Sequence, residues 1–231
     1  MTVRQPIRQL IVVAVVTVGA FALPATALAQ QARPAAFLAP LSAPAPRVAP
    51  ATIGNDDLAA QAATALDLWS LYASTGDRTL LGRYATTRDN IAAAAANRLS
   101  VDAIAMQTAW RSADSTHQLV LLTAFTQLGV PYRAYKRIPG VGFDCSALTS
   151  WAWEQSGVNI PRNSRMQIRD LPSVPKDTAQ AGDVVWYPGH VMLYLGTGDA
   201  ILHAPNSGHR ITLAMLPQHR RVSVKFANPL G

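Results

Sequence analysis

The sequence predicts an α+β fold in which an all-helical region precedes one further helix and a small antiparallel sheet. Three observations carry this. Residues 56–112 are dominated by alanine and nearly lack Gly and Pro, and Leu58, Ala62, Leu66, Trp69 and Tyr72 recur at spacings of three and four. Pro131 then closes the helical stretch. Beyond it the runs "DVVWY" (183–187), "HVMLYLG" (190–196), "AILHA" (200–204) and "VSVKFA" (222–227) are rich in β-branched and aromatic residues. One helical segment at 145–156 precedes these runs, the order expected of an α+β domain with an antiparallel meander.

Taken in order, residues 1–29 read as an export signal. Arg4 and Arg8 form a basic head, "LIVVAVVTVGAFAL" (10–23) an apolar run, and "ALA" (27–29) a cleavage site before Gln30. The run is short for a bilayer span, which needs about 20 residues; retention as an anchor is the lesser alternative. Residues 30–54 are an Ala/Pro-rich linker, in which repeated prolines forbid a continuous helix. The helical region covers 55–112. "TGD" (75–77) breaks its first helix, and a second starts near Asp77 or Thr79 with a dividing turn at Thr86-Thr87. Ser100 caps a third. "STHQ" (115–118) has the capping-box form and opens a fourth helix running to Leu128. Pro131 disfavours helix at Val130. A second domain is expected over 113–231.

The formal net charge is +7, and cleavage after Ala29 removes Arg4 and Arg8 and no acid, leaving +5. A basic exported protein suits an anionic surface such as a bacterial wall. The cations are scattered, without a long run or interleaved aromatics, which argues against nucleic-acid binding. One cysteine permits no internal disulfide.

That cysteine, Cys145, lies in "GVGFDCSALTSWAW" (140–153). The glycines before it cannot form a stable helix, whereas "CSALTSWAWEQSG" can, with Asp144 as N-cap and Cys145 in the first turn. Free N–H groups and the macrodipole at a helix start favour a thiolate and can stabilise an oxyanion, so a depressed thiol pKa is expected. A cysteine nucleophile needs a base. His190 opens one strand and His203 closes the next, across the turn "GTGD" (196–199). A tight hairpin would pair them directly. A His–His metal pair lacks a third ligand at suitable spacing. His117 reads as a satisfied surface or boundary histidine, and His209 and His219 as solvated.

Five ordered motifs give these residues a resemblance. "LGVPY" (128–132), "GFDCSALTSWAW", "IPRNSRMQ" (160–167), "AGDVVWY" followed by "HVMLYLG", and "ILHAP" resemble the successive segments of the NlpC/P60 family of cell-wall cysteine peptidases. The resemblance covers roughly 116–227. It implies a papain-like fold with Cys145 as nucleophile, His190 as general base and His203 as the third, orienting group. It also implies that Tyr132, Asp144 and Ser146 line the substrate site, with no metal and no cofactor. The implied function is hydrolysis of the peptide stems of peptidoglycan, commonly between D-glutamate and a diamino acid, outside the cytoplasm. An amidase or acyltransferase on the same fold, or a wall-binding protein with a weak site, are the alternatives. Two departures stand out: "PYRAYKRIPG" replaces the family's Pro-Tyr-x-Trp-Gly-Gly, bringing Arg133, Lys136 and Arg137, and Ala147 replaces Gly. The helices of 56–112 resemble no named module; their apolar stripes are expected to pack on the catalytic domain and partly cover its cleft.

Overall fold

The computed structural model describes residues 52–231. The expected export signal and nearly all of the expected linker lie outside them. Four helices come first: α1 (Asp57–Thr75), α2 (Arg78–Leu99), α3 (Ala103–Ser112) and α4 (Ser115–Phe125). Each begins at an aspartate. Asp56, Asp77, Asp102 and Asp114 all accept a hydrogen bond from a first-turn N–H, satisfying a donor the helix itself leaves free. Gly76, at φ 71°, ends α1 by returning its N–H to Tyr72.

Several expected boundaries shift. The turn at Thr86-Thr87 does not form; both hydroxyls bond back to the carbonyls of Gly82 and Arg83 and α2 continues through them. Ser100 ends α2 in a left-handed conformation, and Asp102 caps α3. Asp114 caps α4 in place of Ser115. Gln118, the fourth residue of the supposed capping box, instead reaches the carbonyl of Ala113 and receives Tyr84 and Arg88. α4 stops at Phe125 and passes through turns to Gly129.

A two-stranded ribbon follows, β1 (Arg137–Ile138) and β2 (Gly142–Phe143), and then α5 (Cys145–Gln155) and α6 (Ser164–Asp170). The remaining strands are β3 (Ser173–Val174), β4 (Val184–Tyr187), β5 (His190–Tyr194), β6 (Ala200–His203), β7 (Thr212–Met215) and β8 (Lys225–Ala227). They form one antiparallel sheet in the order β3-β8-β4-β5-β6-β7. The expected strand at 222–227 is shortened, because a 3-10 helix takes Gln218–Ser223.

The sheet buries both faces. Val184, Val191, Leu193 and Leu202 point into the main core with α4 and α5, and Val185, Met192, Tyr194, Ile201 and Phe226 form a second cluster on the other side. The main core also takes in Leu58, Leu66, Trp69, Tyr84 and Ile91 from the first helices. Trp110, fully buried, packs edge-on against Phe125 and donates its indole N–H to the Leu195 carbonyl. The helical region therefore packs on the rest of the chain, as expected. It does not cover the cleft through any bonded contact. Among the described residues, no hydrogen bond, ion pair or ring contact joins 57–112 to Tyr132, Asp144, Cys145, Ser146, His190 or His203. Trp110 meets Leu195 beyond the end of β5 opposite to His190.

His117 is not at a surface. It is fully buried, edge-on to Trp153, with Nδ1 2.6 Å from Asp114 Oδ2 and Nε2 2.9 Å from Asp183 Oδ1. Carboxylates only accept, so both ring nitrogens donate and the ring is an imidazolium. Burial opposes that charge, but the bonds and charges of the two aspartates outweigh it and raise the pKa to about 9. A pKa raised above the unfolded value of 6.5 stabilises the fold fully below that pH. The contribution, on the order of 3 kcal/mol, is lost as pH rises through about 9. Urea midpoints are expected to fall between pH 7 and 10 in the wild type. In His117→Gln they are expected to be lower at pH 7 and flatter with pH, since Asp183 is left buried without its cation. An unchanged pH slope in that variant would contradict the assignment.

Candidate active site

α5 starts where the sequence requires it. Asp144, in extended backbone, accepts the Ala147 N–H at 2.8 Å and so caps the helix whose first residue is the half-buried Cys145. α5 packs against β5, which begins at His190. The two histidines come together, but not in the expected register. β5 and β6 pair Leu193 with Leu202 and Tyr194 with Ile201, two residues away from direct pairing of His190 with His203. A slip of two keeps every side chain on its face, where a slip of one would have reversed them. The histidines are thus diagonal neighbours, with Nε2 of His190 2.8 Å from Nδ1 of His203. Gly196 and Gly198, both at positive φ, shape the four-residue turn 196–199 that sets this register.

Asp144 is saturated. Its Oδ1 accepts from Ala147, Ser146 and Arg162, and its Oδ2 from Arg162 and the Tyr135 N–H. Burial would raise its pKa, yet the Arg162 bonds and charge hold it below the usual carboxylate value. Arg162 also donates to the Ser146 hydroxyl at 2.8 Å. Gln167, fully buried on α6, donates to the carbonyls of Ser146 and Pro161 and accepts from Thr149. It fastens α6 to the start of α5. The Tyr132 N–H donates to His209, and Cys145 and Asp144 lie within charge range of its phenol.

Burial pushes the Cys145 thiol up, against the N–H groups of Val191, Ser146 and Cys145 itself. The expected depression is therefore overturned. A helix terminus is worth about 0.3–1 kcal/mol, less than one pK unit, while burial can move a group by several. Burial likewise lowers His190 to about 4 and His203 to about 3. Burial thus favours the neutral forms of the Cys145 thiol and of both imidazoles. Iodoacetamide labelling of Cys145 in the free protein is expected to rise at or above the pH of an ordinary thiol, about 8.5. A plateau reached by pH 6 would establish a preformed thiolate–imidazolium pair instead.

Three polar neighbours carried no role in the sequence reading: Arg162, Gln167 and Tyr187. The first two sit in "IPRNSRMQ", a segment noticed without functions attached. Tyr187 pairs across the hairpin with His190, its ring 5.4 Å from the imidazole. Of the basic residues on the altered segment, Arg137 is tied to Glu154 and the Ser150 carbonyl, while Arg133 and Lys136 stay exposed. His209 and His219 are exposed. A cavity of about 580 Å³, lined in part by Lys176, Asp199 and Arg221, contains none of the expected site residues. Among the described residues no group of three or more His, Cys, Asp or Glu could hold a metal.

Residues 129–224 match the model of the NlpC/P60 family. Two probable endopeptidases of Corynebacterium glutamicum are 39% and 41% identical over 128 residues, 53% of this chain and 60% and 59% of theirs. A γ-D-glutamyl-L-lysine dipeptidyl-peptidase of Bacillus subtilis is 32% identical over 45% of this chain and 37% of its own. The chain thus spans about 60% or less of the length of these relatives.

Proposed function

We propose, from the premise that the chain belongs to the NlpC/P60 family through residues 129–224, that it is an exported cysteine endopeptidase acting on the peptide stems of bacterial peptidoglycan. The observation that carries this is the 2.8 Å contact between His190 Nε2 and His203 Nδ1, at the start of the strand whose Val191 N–H reaches Cys145. When His203 Nδ1 accepts, His190 carries its proton on Nε2 and keeps a lone pair on Nδ1. Only that tautomer is a base on the remaining side of the ring. His190 takes the Cys145 proton as Sγ attacks the carbonyl. It returns the proton to the departing amine as the C–N bond breaks. Water, deprotonated by the same ring, then hydrolyses the thioester and restores the thiol. Free N–H groups at the start of α5 are the donors available to the oxyanion.

Tyr132 lines the cleft beside the nucleophile. Asp144 and Ser146 shape its floor through Arg162, and direct ligation by Asp144 would require it to release one of its donors. The bond class we carry over from the Bacillus relative's name is γ-D-glutamyl to a diamino acid. A wall substrate places the enzyme outside the cytoplasm, which agrees with the export signal read at 1–29 and with the net positive charge. The test is a synthetic stem peptide incubated with the wild type and with Cys145→Ala. One new carboxyl and one new amine product, absent with the variant, is the expected result.

A further inference from the structure

Two arginines flank the hairpin that carries His190, and the side chain of neither has an ionic or hydrogen-bonded partner among the described residues. Trp186 and Tyr187 are successive in β4 and so face opposite ways. On one side, Trp186 lines a cavity of about 240 Å³ with Asn163, Ser164, Arg165 and Gly189. Its indole N–H is buried with nothing to donate to. On the other side, the Arg220 guanidinium lies 5.2 Å from the centre of the Tyr187 ring, which in turn stands against His190. A guanidinium over an aromatic face is held by the ring quadrupole and keeps its in-plane N–H groups free for a planar anion. Burial raises the Tyr187 pKa, and the charges of Arg220 and Cys145 also act on it.

We propose that the end of the β4–β5 hairpin, on the face of Tyr187 and His190, is the subsite for the leaving-group side of the substrate, where Arg220 reads a free carboxylate. This rests on the peptidase reading above. In that chemistry His190 protonates the departing amine, so the residue carrying that amine lies against the His190 wall, on the side of Tyr187 and Arg220. The substrate class that fits is a stem peptide whose leaving residue bears a free carboxylate, in preference to the same residue amidated. Paired planar donors bind a carboxylate bidentately, and an amide offers only one oxygen and no charge.

The test uses two stem peptides that differ only in having that carboxylate free or amidated. Binding to Cys145→Ala is measured by calorimetry, and kcat/KM with the active enzyme. The wild type is expected to favour the acid by about tenfold or more, the scale of one hydrogen bond to a charged group. The preference should approach unity in Arg220→Ala and persist in Arg165→Ala, on the opposite face of β4. Arg220→Lys, with charge but no fork, should fall between. Equal handling of the two peptides by the wild type, or a preference unmoved in Arg220→Ala, overturns the subsite and leaves the peptidase reading standing. Selective binding of the acid without cleavage supports the subsite and removes the peptidase reading. Neither binding nor cleavage removes both.

Discussion

His190→Asn is expected to turn over a stem peptide no faster than Cys145→Ala, a loss of about 10³-fold or more in kcat. Removing the base from a nucleophile–base pair leaves no route for the thiol proton. The thiol here starts neutral because burial raises its pKa, so the proton must be taken during attack. His203 acts differently. Its ring is hydrogen-bonded to His190, and its replacement by Ala frees the His190 ring to adopt the tautomer with Nδ1 protonated. His203→Ala should lose about 10²-fold, the low end for an acid–base group. His203→Asn and His203→Gln keep an acceptor for Nε2–H and should retain more. Circular dichroism confirms that each variant is folded before rates are compared. Wild-type activity in His203→Ala, with loss in His209→Ala, would move the third group into the 205–209 loop.

The second large effect concerns the first three helices. A chain beginning at Ala113 is expected to lose cooperative unfolding, or to melt far below a chain beginning at Gln30, and to show no gain in activity. The removed segment supplies Trp110, whose truncation alone in a fully buried site costs about 3–5 kcal/mol. It also supplies Tyr84 and Arg88, the partners of the buried Gln118, and Trp69 packed on Tyr84. A domain of this size holds only about 5–15 kcal/mol in total. A truncated chain that unfolds cooperatively at an unchanged temperature would show that α1–α3 are an independent module. A truncated chain more active than the full one would support the cleft cover expected from the sequence.

What was legible in the sequence follows a physical pattern. Local signals resolved well. The cap at Asp144, the break at "TGD" and the four β-branched runs depend on neighbours in the chain, and each stands close to where it was read. The α+β order and the family motifs rest on the same short-range chemistry. Signals that depend on distant partners were misread. His117 looks like any helical histidine until Asp183, 66 residues away, is placed against it. The hairpin turns at 196–199, where the sequence placed it, but four turn residues pair Leu193 with Leu202 and not His190 with His203; parity preserved the histidine contact. The thiol pKa failed for another reason. The helix terminus is visible in sequence, whereas burial, which outweighs it, is a property of the packed molecule. α6, only seven residues long, gave too short a period to recognise.

The most direct measurement is mass spectrometry of isolated peptidoglycan digested by the wild type and by Cys145→Ala. The account predicts stems cut within the peptide, at a γ-D-glutamyl bond, with glycan strands intact and no products from the variant. Release of whole stems from the glycan, or the same products from Cys145→Ala, would contradict it.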